Sequence, residues 1–423
     1  MFDGQRLLGL DRLGLRARCM RFLDRGNGSG VWQIRCETGD ESARACVSCG
    51  CVCRVRTSRE RTVVHVPLGS DAIHLKVRVC TYECVTCARM WHDDLKALVS
   101  GRTLLSRAAV DWALRRVALE SASISACART LGCSWNALDR AVRAHGMRIL
   151  SRSDPYARVT RIGVDEHVWR HGASGDRYVT VIVDLTPRAD GAPARLLDMV
   201  PGRSAQAFAN WLEARGARFR DRVEVVAMDA FSGWKQAAAR MLAHAVEAGD
   251  PFHVVHLAAG RLTMVRCRLQ REATGRRGVK GERLYDCRRA LLKTASLRTP
   301  RQRERVVDGV CQRIIACYRH KDPRLGRRMM GAPVDALAEP AATRRCPELR
   351  SLGRTLKRRR ADILAYFTHQ HSSNGPTEAI NGRLETLRGI AMGFDNFEHY
   401  RQRSLIHSGR IKDILTHQKG KSQ

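Results

Sequence analysis

The order of apolar and polar positions changes character several times along the chain. Thr62-Val63-Val64-His65-Val66 and Ile73-His74-Leu75-Lys76-Val77-Arg78-Val79 alternate with the period of two that sends successive side chains to opposite faces of a strand. From residue 104 to 146 the spacing is helical. Short apolar runs return between Thr160 and His256, and they predict strands near 160–165, 177–184, 194–200, 223–229 and 252–256. Among the helices between them, one starts at a Ser204 cap, carries Phe208, Trp211 and Leu212 inward and ends at Gly216. Three strands, a helix, a strand, a helix and a strand make a mixed α/β order. Residues 257–370 are basic and helical in pattern, with Leu291, Val306, Val310, Ile314 and Leu364 on inner faces, and a last helical segment begins at Thr377. The first 35 residues, broken by Gly26-Asn27-Gly28-Ser29-Gly30, give no fold signal and are taken as an arm.

At 423 residues the chain should hold two to four domains, because single cores rarely grow beyond ~250 residues. Lys and Arg number 75 against 42 Asp and Glu, and the resulting +33 is spread along the whole chain. A polyanion is the natural partner, although codon bias in a GC-rich genome would also enrich Arg over Lys. The chain has 16 cysteines, crowded most densely between residues 46 and 87, and Met1 to Asp11 does not read as a signal peptide. Metal binding in the cytosol fits this better than a disulfide framework. No apolar run reaches the ~20 residues of a membrane span, so a soluble intracellular protein is expected.

Cys46-Val-Ser-Cys49 and Cys84-Val-Thr-Cys87 are two C-x-x-C knuckles, each placing two thiolates on one side of a tetrahedral ion. Zinc held by Cys46, Cys49, Cys84 and Cys87, with the intervening residues forming the hairpins of a zinc ribbon, is a structural site. Cys51, Cys53 and Cys80 are competing thiols nearby. Ser125 to Leu131, the turn Gly132-Cys133-Ser134 and Trp135 to Ala144 follow helix-turn-helix grammar. Ser134 caps the second helix, Trp135 and Leu138 anchor its inner side, and Asn136, Arg140 and Arg143 are exposed to enter a DNA groove. Arg115, Arg116 and Arg148 flank it for phosphates.

Three carboxylates stand apart. Asp165 ends the strand-like run from Thr160, Asp229 ends the run from Val223, and Glu378 opens a late helix, at separations of 64 and 149 residues. Two divalent ions ~4 Å apart need acidic ligands from different elements to clamp a phosphodiester in line. Glu166 should face away from Asp165 by strand alternation. Taken singly, each Asp is equally a strand-end turn former. Asp250-Pro-Phe-His253 sets a carboxylate and an imidazole three apart at the start of a strand. His253 either orients a ligand or scissile phosphate or is a core histidine bonded to a carbonyl. Around Ser372-Ser-Asn-Gly-Pro-Thr377-Glu378 the chain enters a helix with Pro376 in its first turn, and Glu378, Asn381 and Glu385 share one face. Arg383 and Arg388 are placed to meet phosphates.

Together these motifs make the chain resemble the DDE transposases of bacterial insertion sequences, specifically the ISL-three group. The resemblance rests on the paired-cysteine ribbon, the helix-turn-helix, Gly163-Val-Asp165-Glu, Met228-Asp229, Asp250-Pro-Phe-His253-Val-Val and Asn374-Gly-Pro-Thr-Glu378-Ala-Ile-Asn381-Gly-Arg-Leu. It implies a ribonuclease H-like catalytic core interrupted by a helical insertion, with Asp165, Asp229 and Glu378 as ligands of two Mg²⁺ ions that Mn²⁺ can replace. It further implies nicking at the element's ends and attack of the freed 3′-OH on target DNA. His253, Asp250, Asn381 and Arg388 are candidate supporting residues. His256 stands where similar chains are expected to carry Lys.

The expected architecture is multidomain α/β, with a zinc ribbon, a helix-turn-helix and an interrupted ribonuclease H-like core. Its parts are an arm at 1–40, the ribbon at 41–95, the DNA-binding domain at 100–150, the core's first part at 158–256, an α-helical insertion at 257–370 and the core's C-terminal helices at 371–423. The expected partners are double-stranded DNA, as terminal inverted repeats and target, and at least one further copy of the chain, in a cytoplasmic, nucleoid-associated setting. The competing readings are a transposase-derived regulator that binds without cutting, and a ribonuclease H-like nuclease or resolvase that cuts without joining.

Overall fold

The structure, a computed structural model, describes residues 8–26, 29–38, 45–46, 48–171, 177–187, 191, 193–228, 232–297, 299, 309–339, 343–344, 346–369 and 373–419. Asp229 and Val306 lie outside them. The chain divides into two compact units, Met1–Ser153 with Leu387–Gln423, and Asp154–Thr386.

The first unit contains a five-stranded sheet of β1 (Leu15–Asp24), β2 (Gly30–Thr38), β3 (Cys53–Leu68), β4 (Asp71–Cys84) and β5 (Met90–His92), in the order β1-β2-β4-β3 with β5 also on β4. The segment read as an arm is thus the β1–β2 pair, with β2 parallel to β4. In β2, Ile34 and Cys36 are buried against Val63, Ile73, Leu75 and Val77. The Asp71 carboxylate fixes the start of the strand by accepting from Gly30 N at 2.8 Å and Trp32 Nε1 at 3.3 Å. Only Leu15 of β1 is buried, so that strand shows no alternation to read.

Three helices follow, α1 (Arg107–Leu119), α2 (Ile124–Leu131) and α3 (Trp135–Leu150). Ser106, Ser123 and Ser134 cap them by accepting from Ala109, Ala126 and Ala137 N. Gly132 ends α2 in the left-handed region at φ 66°, where a side chain is disfavoured. The helices bury Leu114, Val117, Ile124, Leu131, Leu138 and Val142 together with Ile406, Ile411 and Leu415 from the C-terminal helices Phe397–Ser408 and Ile411–Lys419. By their packing, residues 387–423, expected from sequence among the core's C-terminal helices, group with the first unit.

The second unit is built on β6 (Arg161–Val168), β7 (Tyr178–Asp184), β8 (Arg195–Pro201), β9 (Val225–Met228) and β10 (Val246–Gly249), in the order β10-β9-β6-β7-β8. β6, β7 and β8 are antiparallel, while β9 runs parallel to β6 and β10 parallel to β9. Helices α4 (Ala205–Ala214), α5 (Ala217–Arg220) and α6 (Ser232–Met241) supply Phe208, Trp211, Leu212, Phe219 and Trp234 to a core shared with Ile162, Val164 and Val226. Ser204 caps α4 as expected.

The strand expected at 252–256 is instead the start of α7 (Pro251–Thr274), and the fifth strand is Val246–Gly249. Asp250 is the N-cap, accepting from His253 N at 3.2 Å, and Pro251 occupies the first helical position. Proline's fixed φ and missing N–H suit that position and override the β-type look of Phe252-His253-Val254-Val255. Beyond it come α8 (Gly309–Tyr318), α9 (Pro323–Ala338), α10 (Pro347–Arg358) and α11 (Arg360–Thr368), packed on Ile314, Met330, Val334, Leu352 and Ile363. On the sheet's edge, Lys235 Nζ meets Asp362 of α11 at 2.7 Å and Glu247 of β10 at 2.8 Å. Then comes α12 (Gly375–Ala391), within which the two units divide. No helix among the described residues is long and apolar enough to cross a membrane.

Candidate functional site

Asp165 does not end its strand, because β6 stays paired with β7 as far as Val168. Its carboxylate is half-buried, and Glu166 beside it is exposed, bridged to Arg203 at 3.2 Å. Oδ1 of Asp165 accepts from Glu166 N at 2.9 Å, and Oδ2 accepts from Asn381 Nδ2 at 3.0 Å. The same amide nitrogen reaches Glu166 O at 3.1 Å. Asn381 lies one turn beyond Glu378 on α12, so the helix bearing Glu378 is hydrogen-bonded to the strand bearing Asp165. Gly163 explains how helix and strand come so close. A Cβ on Gly163 would fall on Thr377 Oγ1 and also crowd the Leu185 side chain.

A second constellation joins α7 to α12. Asp250, 3 % exposed, uses one oxygen on His253 Nδ1 at 3.1 Å and the other on Asn374 N at 2.8 Å. One carboxylate oxygen each of Asp250 and Glu378 and a ring nitrogen of His253 lie within 4.8 Å of one another. Asp250 therefore holds both the imidazole and the entry to the helix that carries Glu378. The sequence paired Asp250 with His253 but did not show the link to Asn374. An Asp-Pro helix start would have revealed the cap. Asn374 is fully buried and could not have been identified from local pattern.

Asp229 lies outside the described residues. Met228, the last residue of β9, pairs with Val164 directly before Asp165. Arg388 is buried in the last turn of α12 and belongs to the first unit, while Glu385 and Arg383 are exposed.

In the first unit the sulfurs of Cys46, Cys49, Cys84 and Cys87 gather within 4.8 Å of one another. Cys46 and Cys87 are 3.5 Å apart, and Cys49 and Cys84 are 3.4 Å apart. Backbone N–H groups of Cys87 and Thr86 pull the Cys84 thiol down to about 6, and that of Ser48 lowers Cys46. Amides aimed at sulfur in this way stabilise the thiolate form that a metal requires at Cys46 and Cys84, while hydrogen bonding from their facing thiols outweighs the backbone N–H groups at Cys49 and Cys87 and pushes those two up. Cys51 and Cys53 bond instead to the carbonyls of Cys49 and Cys51.

On α3, Asn136 and Arg140 are exposed as expected, but Arg143 is not. Its side chain, 14 % exposed, is held by Asp139 at 2.7 Å and by Gln402 at 2.9 Å. Trp135 was expected to anchor the inner side but is 48 % exposed, and Leu138 alone does so. Trp135 is the first residue of the helix, one turn before the packed face begins.

A mixed α/β chain with a four-cysteine cluster of ribbon type and paired acidic elements is the class defined so far. The chain belongs to the ISL3 family of DDE transposases, whose pattern, described as Transposase, matches residues 162–404. Among curated proteins it is similar to the "Transposase for insertion sequence element IS1557" of two Mycobacterium tuberculosis strains, CDC 1551 / Oshkosh and H37Rv. Each is 26 % identical over 310 residues, covering 64 % of this chain and 66 % of the relative, so the match spans slightly less than two thirds of those proteins. Among solved structures it matches the "Drosophila P element transposase strand transfer complex" at 10 % identity and a TM-score of 0.36, over 70 % of this chain and 91 % of that one.

Proposed function

We propose that this chain binds the terminal inverted repeats of an insertion sequence, cuts DNA there and joins the freed 3′ ends to a target. The observation that carries the reading is the Asn381 hydrogen bond to Asp165. It brings the elements of two acids 213 positions apart (378 − 165) into contact. Three antiparallel strands followed by two parallel ones, with helices between, support a ribonuclease H-like core for the second unit. The pairing of Met228 with Val164 supports Asp229 as the third acid.

The donor set suits a hard divalent ion, since Asp165 and Glu378 offer carboxylate oxygens and Mg²⁺ takes oxygen ligands. Asp165, Asp229 and Glu378 would hold two such ions, Mg²⁺ or Mn²⁺. When bound, they make water or a 3′-OH a competent nucleophile and stabilise the leaving oxygen. This chain's own residues set the geometry. Asn381 donates to Asp165 Oδ2 and thereby orients its remaining lone pairs. Asp250 accepts from the His253 ring and from Asn374 N, and so fixes both the imidazole and the first turn of α12. The four-cysteine cluster suits structural zinc. Asn136 and Arg140 would read base edges, and because two element ends are brought together, the working form would be at least a dimer.

The test is Asp229→Asn and Glu378→Gln assayed with Mg²⁺ on duplexes bearing the element's ends. Both should bind DNA but neither nick nor join it. Strand transfer retained by either variant would defeat the assignment. Wild-type protein that binds without nicking would favour a regulator, and cleavage without joining a nuclease or resolvase.

A further inference from the structure

The second unit has an open pocket of about 380 Å³ at the end of the sheet where β6 and β9 begin, lined by Asp154, Tyr156, Arg215, Arg218, Phe219 and Arg222. Three guanidinium groups thus face one carboxylate, and among the described residues none of the three forms an ion pair. Two of them are locked in place. Arg222 gives Nη2 to Tyr156 O at 2.7 Å and Nε to Val159 O at 3.3 Å, which leaves Nη1 unused. Arg215 stacks with its Cζ 4.8 Å from the Tyr156 ring centre and 5.4 Å from that of Trp211. Its buried Nε has no hydrogen-bond partner. Arg218, on the short helix between them, is exposed.

Planar guanidinium groups held by stacking and by carbonyls lose little freedom when they take up an anion, and arginine forks match phosphate oxygens in pairs. We propose that this pocket anchors a phosphodiester group of double-stranded DNA outside the acidic site. The proposal rests on the chain being a DNA-acting transposase and adds a second hold on the duplex within the catalytic unit. From Val159 to Asp165 is six residue steps, most of them in β6, at most about 20 Å at about 3.3 Å each. That is less than the ~34 Å of one duplex turn, so one DNA segment can reach both places. Contacts through phosphate alone make the anchor blind to sequence.

Full-length protein should be titrated with fluorescent random-sequence duplex in EDTA across a salt series, so that no chemistry enters the readout. Each phosphate contact contributes about 0.9 to the slope of log affinity against log salt. Arg218→Gln should flatten the slope by about 1, and Arg215→Gln with Arg218→Gln by about 2. Arg218→Gln, at an exposed position, should melt like wild type, which keeps the test readable if the double variant is less stable. An unchanged slope in both variants overturns the anchor. If Asn136→Ala with Arg140→Gln weakens binding while the pocket variants do not, the anchor fails and the transposase reading stands. Wild-type protein with no affinity for duplex overturns both. A melting shift caused by inorganic phosphate and lost in Arg218→Gln, with the DNA slope unchanged, makes the pocket a small-anion site and also overturns the proposal.

Discussion

Asn381 carries no charge and so attracts less notice than the acids, yet its amide is the residue-scale join between the two halves of the candidate site. A carboxylate ligand that loses such a partner can turn about its terminal torsion, and loss of an outer partner typically costs 10–100-fold in metal affinity or activity. Asn381→Ala should therefore lower nicking by roughly that range, and most of the loss should be recovered as Mg²⁺ is raised. Rate measured against Mg²⁺ concentration checks this. A loss that persists at saturating metal, or no loss at all, would place Asn381 outside the site. Asp250 works by a different means at the same scale. Almost wholly buried, it accepts from His253 N, the His253 ring and Asn374 N, so one side chain ties the start of α7 to the entry of α12.

At the scale of elements, the closeness of α12 to β6 depends on Gly163 having no side chain. Gly163→Ala would drive a methyl group into Thr377 Oγ1 beside Leu185, and the helix bearing Glu378 has to move away. A shift of about 1 Å is enough to cost 10²-fold in a positioned site, so cleavage should fall about that far although no acid is changed. Thr377→Ala removes the clashing oxygen, which has no hydrogen-bond partner, and in the double variant should restore most of the rate. Failure of that rescue in a well-folded protein would show that Gly163 acts otherwise. The four-cysteine cluster gives a second prediction. The sheet's core, around Val63, Ile73, Leu75 and Val77, lies many residues from the paired Cys53–Cys84 end of β3 and β4. Stripping zinc should therefore loosen the knuckles and leave the far end of the sheet folded. Hydrogen exchange should show protection lost near residues 46–53 and 84–90 and kept near 63–77. Metal analysis should find one zinc per chain, lost in Cys84→Ser and kept in Cys51→Ser and Cys80→Ser. Zinc retained by Cys84→Ser would reject the assigned ligands.

These elements also show what sequence can disclose. The cysteine knuckles were legible because C-x-x-C is a local constraint, and the Ser134 and Ser204 caps and the Gly132 turn because cap and turn chemistry is local too; the Ser106 and Ser123 caps were not read. The start of α7 was legible in principle, but the β-branched and aromatic residues after Pro251 outweighed its cap signal. β1 was not, since one apolar position in ten is buried and no pattern results. Glu378, Asn381 and Asp165 were each visible, but the bond that joins them depends on a contact 216 residues apart in sequence, which periodicity cannot show.

Over the whole molecule, the long-range feature with the clearest consequence is that the first unit is completed by residues from the far end of the chain. Ile406, Ile411 and Leu415 are fully buried among helices α1, α2 and α3, and Gly146 leaves room for Ile406. Arg403, 3 % exposed, reaches Asp139 at 3.4 Å, and Gln402 holds Arg143. Burying three such aliphatic side chains contributes about 1.5–3 kcal/mol each, or roughly 5–9 kcal/mol together. That is comparable with the whole stability of a typical domain, about 5–15 kcal/mol. A chain stopped after Asp395 would also leave Asp139 without Arg403, and loss of one partner from a buried pair is costly in itself. Such a truncation keeps all of α1, α2 and α3, so by sequence the helix-turn-helix proposed to bind DNA is complete. It should nevertheless lose the cooperative melting of that unit and bind an inverted-repeat duplex at least 10-fold more weakly, while Arg403→Ala alone should lower the melting temperature less. Limited proteolysis should cut the truncated protein within residues 107–150 and spare those positions in the full chain. Full affinity and unchanged protection after truncation would mean that the C-terminal helices only cover a module able to fold without them.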